Sequence, residues 1–317
     1  MAERVKLKID FGMPLKVEWK GIVIRTDNRM HSTNQAKHRV QKLQYLPPLS
    51  ATATRLLAMV GDDRFSLEDL ALVINQDPGL SARILGLANS AYFGQKNPIL
   101  TVEDAIIRVL GLNMVKSLAF SIAVSGVFES SACRSFDLHE YWCHSLSIAM
   151  LSRQISLAVE SEPPPDADGV YLAGLLFDIG VLVLVHEFPE EYARVLTMSK
   201  QQPERDRMQL EMEMIGIDHR QAGAWLGHRW HLPERIVHII AQSADETVAS
   251  DRDCEANLVG GVADWIKRPL LGVSETDQEL PGLGGSCGLS NERLEAIRDD
   301  FMEKQEEIRV IASMLAK

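Results

Sequence analysis

The sequence predicts an all-α, two-lobed fold with a short β-hairpin in front of it. Three observations carry that expectation. From Leu46 onward, helix-capping signals recur at short intervals with apolar residues at helical spacing, too close together for strands. Strict alternation of apolar and polar residues is confined to Val5–Arg25. A small, polar stretch, Ser130–Ser135, then divides the helical part in two.

In the N-terminal stretch Val5, Leu7, Ile9 and Phe11 alternate with Lys6, Lys8 and Asp10. After Gly12–Met13–Pro14, Leu15, Val17 and Trp19 alternate with Lys16, Glu18 and Lys20. Period two with a Gly/Pro break predicts a hairpin, which needs support from the main body or a partner. Residues 26–44 are polar, lack periodicity and fit a linker.

Pro47–Pro48 stops what precedes, and Ser50 or Thr52 can cap a helix running to Val60. Ser66 with Asp69 is an aspartate version of the capping box. Asp77–Pro78 gives an N-cap and a proline at the first helical position. Thr101 and Asp104 repeat the signal before Ala105–Leu110, and Gly111 separates a further helix, Met114–Phe128. In the second half Asp137 caps a long helix ending near Val159, and Ser161–Asp168, with three consecutive prolines, is a loop. Further helices are expected at Glu190–Ser199, Glu204–Ile215, His219–Arg229 (capped by Asp218), Leu232–Gln242 and Ala256–Ile266. Glu275–Ser290 reads as a loop, and Asn291–Leu315 as one charged amphipathic helix.

The most apolar run, Tyr171–Val185, contains one acid, Asp178. A carboxylate in such a setting is costly unless it is paired, caps a helix or binds a metal. The residue before it is Phe177, which has no lone pair to offer a cation. Without a metal, Asp178 is expected to cap the helix beginning at Ile179 and to pair with His144.

Composition narrows the function classes. The net charge is −11, which makes general binding to nucleic acid or an anionic membrane electrostatically unfavourable. The N-terminus has no apolar core of a signal peptide, and no uncharged run reaches the roughly 18–20 residues of a membrane span. Cys133, Cys143, Cys254 and Cys287 form no CxxC pair, so reduced thiols in the cytoplasm are expected. HEYWCH at His139–His144 has one residue too many for the zinc-protease HExxH: on a helix, i and i+5 lie about 140° apart. His228, His231 and His238 surround a turn beside Trp230 with no Cys or carboxylate converging, and Gly282–Gly285 lacks the spacing of a phosphate-binding loop.

Four stretches together carry a resemblance: Leu46–Pro47–Pro48–Leu49, Ile74–Leu80 (INQDPGL), Ile84–Ser90 (ILGLANS) and Ala105–Leu112 (AIIRVLGL). They closely resemble the HDOD (HD-related output) domain, a bacterial signalling module, over roughly residues 45–245. The resemblance implies a smaller helical lobe, about 45–130, and an HD-like lobe, about 135–245. Residues 1–44 would be an extension, and 246–317 a helical extension completing the HD-like lobe. The family is similar to HD phosphohydrolases such as cyclic-di-GMP phosphodiesterases, in which a first His, a His–Asp pair and a later Asp bind divalent metal. Carried onto this chain, those positions are His144, Phe177–Asp178 and Asp264, with His219 as an additional His. A further His pair near Ala241–Ala244 is replaced by AQSA. The HD site is therefore expected to be degenerate, with no catalytic residue, no metal and no cofactor. The function implied is a non-catalytic regulatory module that binds proteins or a small ligand. Its partners would be signalling proteins, cyclic-di-GMP or two-component pathway proteins among them, with no nucleic acid and no membrane insertion. The alternative is a metal-dependent phosphohydrolase acting on a nucleotide or cyclic dinucleotide.

Overall fold

The computed structural model describes residues 48–60, 64–90, 93–160, 164–241, 254–267 and 289–316, and all regular structure among them is helical. The expected hairpin, the linker after it and most of the Glu275–Ser290 loop lie outside the described residues.

The first lobe is built from helices that begin where short polar side chains meet free backbone N–H groups. Helix α1 (Ala51–Met59) starts at Ser50, whose hydroxyl accepts from the Ala53 N–H. Helix α2 (Leu67–Asn75) starts at a reciprocal capping box between Ser66 and Asp69. Asp77 accepts from the Leu80 N–H and, with Pro78 in the first position, opens α3 (Pro78–Ala88). Thr101 caps α4 (Val102–Ala105), which widens into a π-helical turn over Ile106–Leu110. That turn ends at Gly111, whose φ of 80° suits a residue without a Cβ. Helix α5 (Leu112–Ser125) follows.

The expected joint between the lobes is packed. Phe128 and Cys133 are buried, and the Glu129 N–H donates to His186 Nδ1 at 2.9 Å. Asn113 on α5 reaches Asp168, and Arg153 holds the same carboxylate from the other side. Among the described residues, one continuous apolar core runs through both lobes.

The second lobe is wrapped around α6 (Leu138–Ala158), which Asp137 caps with two backbone hydrogen bonds. Helices α7 (Ala167–Leu176) and α8 (Ile179–Glu187) form the apolar centre, interrupted only at Phe177–Asp178. The stretch Ala167–Glu187 is long and apolar enough to cross a membrane, yet 89% of its most apolar part is buried inside the fold. Around it lie α9 (Pro189–Gln201), α10 (Arg207–Met214), α11 (His219–Arg229), α12 (Glu234–Ala241) and α13 (Cys254–Lys267).

The C-terminal stretch differs from expectation. In place of one helix there are two, α14 (Asn291–Glu303) and α15 (Gln305–Leu315), broken at Lys304 with φ −97° and ψ 7°. No Gly or Pro marks the break. Its physical reason is tertiary: both helices lie on α6, but Phe301 on α14 meets Trp265 of α13, whereas α15 reaches back to α3 of the first lobe. One straight helix cannot follow both surfaces.

Candidate functional site

Two glycines bring the site together. An added Cβ at Gly180 would lie 1.8 Å from the His219 carbonyl oxygen and 2.6 Å from the Gly223 nitrogen. Helices α8 and α11 therefore touch backbone to backbone. This contact sets Asp178, at the head of α8, beside His219 and Arg220, at the head of α11.

Asp178 is 2% exposed and occupies the N-cap position of α8, but its side chain makes no capping bond. The expectation that it caps the helix is thus corrected. Its ψ of 20° is outside the extended range from which an N-cap side chain reaches the next N–H groups. The carboxylate turns inward instead, towards two guanidiniums and two imidazoles. Oδ2 lies 2.9 Å from His144 Nε2 and 3.8 Å from the Arg207 guanidinium. Oδ1 lies 3.1 Å from Arg220 Nη2 and 3.7 Å from His219 Nε2.

Arg220 is 5% exposed and is held on three sides. Besides Asp178, its Nη1 donates to the Phe177 carbonyl oxygen, one of the unpaired acceptors at the end of α7. Its guanidinium carbon also sits 3.3 Å from the centre of the Phe177 ring, a stacked cation–π contact in a dry setting. Phe177 is therefore the face on which this arginine lies.

A second carboxylate, Glu211 on α10, is fully buried. Its Oε2 accepts from the His219 N–H at 2.9 Å and lies 2.6 Å from His219 Nδ1. Its Oε1 accepts from the Tyr192 hydroxyl at 3.3 Å and lies 3.6 Å from Arg207 Nε. Burial alone would raise the Glu211 pKa, but His219 and Arg207 hold it below the usual carboxylate range. Burial drives His219 the other way, down to about 4, against the pull of Glu211. Neutral His219 then donates through Nδ1 and leaves the Nε2 lone pair towards Asp178. The resulting cluster sets two carboxylates against two guanidiniums, with Arg207 at its partly exposed edge.

Among the positions carried over from the family pattern, His144, Phe177, Asp178 and His219 meet here. Asp264, on α13, is exposed; its charge acts on Arg220, but it makes none of the cluster's contacts given above. Sequence reasoning passed over Arg207, Glu211, Arg220 and Tyr192. The signal for Arg220 was indirect: a carboxylate as buried as Asp178 demands a cation, and DHRQAG supplies one beside His219.

The His139–His144 stretch divides between two places. His144 faces Asp178, whereas His139 Nε2 lies 3.1 Å from the Arg309 carbonyl oxygen. His139, Glu140 and Cys143 bring potential ligand atoms within 4.8 Å of one another. However, Arg309 already neutralises Glu140 at 2.9 Å, and burial raises the Cys143 thiol to about 11. At the turn beside Trp230, His231 and His238 are exposed, and His231 adopts a left-handed φ of 57°.

With this geometry in place, comparison with known proteins assigns the chain. A two-lobed, all-helical fold among the described residues is the class, and the family follows from the sequence: the HDOD domain model matches residues 46–246. The chain belongs to the HDOD domain family. It is 26% identical over 211 residues to an uncharacterized protein of Treponema pallidum (strain Nichols), which covers 66% of this chain and 39% of that protein. Among solved structures, a candidate signal transduction protein of Marinobacter aquaeolei VT8 superposes with a TM-score of 0.77 at 22% identity, covering 94% of this chain and 68% of that one. An HDOD domain protein of unknown function from Geobacter sulfurreducens gives 0.71 at 23%, covering 89% and 97%. A candidate metal-dependent phosphohydrolase of Shewanella amazonensis SB2B gives 0.59 at 23%, covering 88% and 99%. At these identities the likeness is one of fold.

Proposed function

We propose that the chain is a non-catalytic HDOD signalling module that acts by binding proteins, its HD-type site closed by its own arginine. The observation that carries this reading is Arg220, stacked on Phe177 and 3.1 Å from Asp178. The donor set does not fit a divalent metal. The phenyl ring offers no ligand, and a guanidinium already holds the charge that a cation would bring to the carboxylate. A second positive ion beside Arg220 and Arg207 would be repelled in a setting of low dielectric. Activation of water needs an open coordination position on a firmly held ion, and these residues do not build one. The signalling half of the reading draws support from the family and from the Marinobacter neighbour.

The test is an assay of the purified full chain with cyclic di-GMP and with a generic phosphodiester, each with manganese or magnesium added. No metal-dependent turnover is expected. Turnover that rises with metal would install the phosphohydrolase reading, which the Shewanella neighbour's description represents.

A further inference from the structure

The first lobe carries an apolar surface that the reading above does not use. Arg55, Ala58 and Met59 on α1 and Phe65, Asp69 and Leu72 around α2 line a hollow of about 280 Å³. Leu72, on its rim, is 56% exposed, and Ile107, presented by the π-helical turn, is 70% exposed. The two belong to one strip. Asn75, one turn beyond Leu72, donates to Glu103, and Glu103 lies one turn before Ile107. Leu100, 77% exposed, leads into the same helix. The strip is bordered by Glu68 and Asp69 at the start of α2 and by Glu103 and Asp104 in α4.

We infer that this strip is the docking surface for the chain's own N-terminal segment, with the apolar face that includes Val17 and Trp19 seated in the hollow. Three features select this occupant. Residues 1–47 hold ten Lys and Arg against four Asp and Glu, a net +6, so the remaining residues carry −17 of the total −11. The lysines at 6, 8, 16 and 20 alternate with the apolar side chains, which suits an apolar hollow flanked by Glu68 and Asp69, with Arg55 the one cation among its lining residues. The segment also joins the described fold at Pro48, directly before α1, the helix that forms one wall of the hollow. The 28 residues between Trp19 and Pro48 span on the order of 90 Å when extended, so reach is no obstacle. A tether of that length gives an effective concentration near millimolar, and weak contacts then suffice.

Replacing Trp19 in the full chain with the photo-crosslinking residue p-benzoylphenylalanine tests this. Irradiation followed by peptide mass spectrometry should place crosslinks between Arg55 and Leu72 or between Leu100 and Arg108, with a yield unchanged on dilution. Leu72→Asp together with Ile107→Asp should lower that yield about tenfold, the loss expected from one leucine-sized contact. Both residues are exposed, so an unchanged helical circular-dichroism spectrum and a cooperative melt check that the fold persists. Crosslinks confined to other elements, no crosslinks, a yield that ignores the two aspartates, or crosslinks between copies that fall on dilution would each overturn the assignment.

Discussion

The two lobes differ in where their awkward residues gather, although the first also buries Lys116 and the second exposes Leu157. The second lobe buries charge: Asp178, Glu211 and Arg220 are almost wholly inside, each answered by a partner within the same cluster. The first lobe exposes apolar surface, with Leu72, Leu100 and Ile107 more than half in solvent. A buried charge cluster that is satisfied internally has little left for a ligand, whereas an apolar strip that no described residue covers invites a partner. The proposal of a non-catalytic module with its binding surface outside the Asp178 cluster rests on this difference.

The comparison breaks most sharply if the cluster tolerates loss of its cation. Arg220→Ala leaves Asp178 buried with a weaker set of partners, and should cost about 3–5 kcal/mol of stability by urea unfolding. An unchanged midpoint would mean that Asp178 is not held by Arg220. Gly180→Ala comes next. Its methyl group would meet the His219 carbonyl, a backbone atom that cannot swing aside, and about 3 kcal/mol is expected.

Acid should act on the second lobe through His219. Its pKa is lowered in the fold, from an ordinary 6.5 to about 4, so the unfolded chain binds more protons between these values. Stability from this group is complete above pH 6.5 and is lost as the pH falls to about 4, roughly 3 kcal/mol in all. Glu211, also lowered, adds a loss of the same sign below its ordinary 4.5. Unfolding curves across that pH range should show the decline, and a His219→Gln protein should show a shallower one. At the other end of the scale, Leu72→Asp should shift stability by no more than about 0.5 kcal/mol. A large loss would show that the strip belongs to the core.

Much of the fold was legible because it is written in local chemistry. The caps at Ser50, Ser66, Asp77, Thr101, Asp137 and Asp218 are contacts between a side chain and backbone two or three residues away. Asp178 was legible as an anomaly but not in its use. It stands where a cap belongs, yet its partners His144, Arg207 and Arg220 lie on other helices and prevail over the local bond. Phe177 was visible as a missing ligand, though its role as a platform for Arg220 needed α11 packed against α8. The break at Lys304 had no local mark, since two distant surfaces impose it.

The central claim, that Arg220 stands where a metal ion would otherwise be held, is tested most directly by manganese titration of two proteins with metal content read by mass spectrometry. One is the natural chain; the other carries Phe177→His and Arg220→Ser, which restore a ligand and remove the internal cation. The natural chain should take up no stoichiometric manganese, and the double variant, once shown by circular dichroism to be folded, should bind more. Tight, one-to-one uptake by the natural chain would contradict the account.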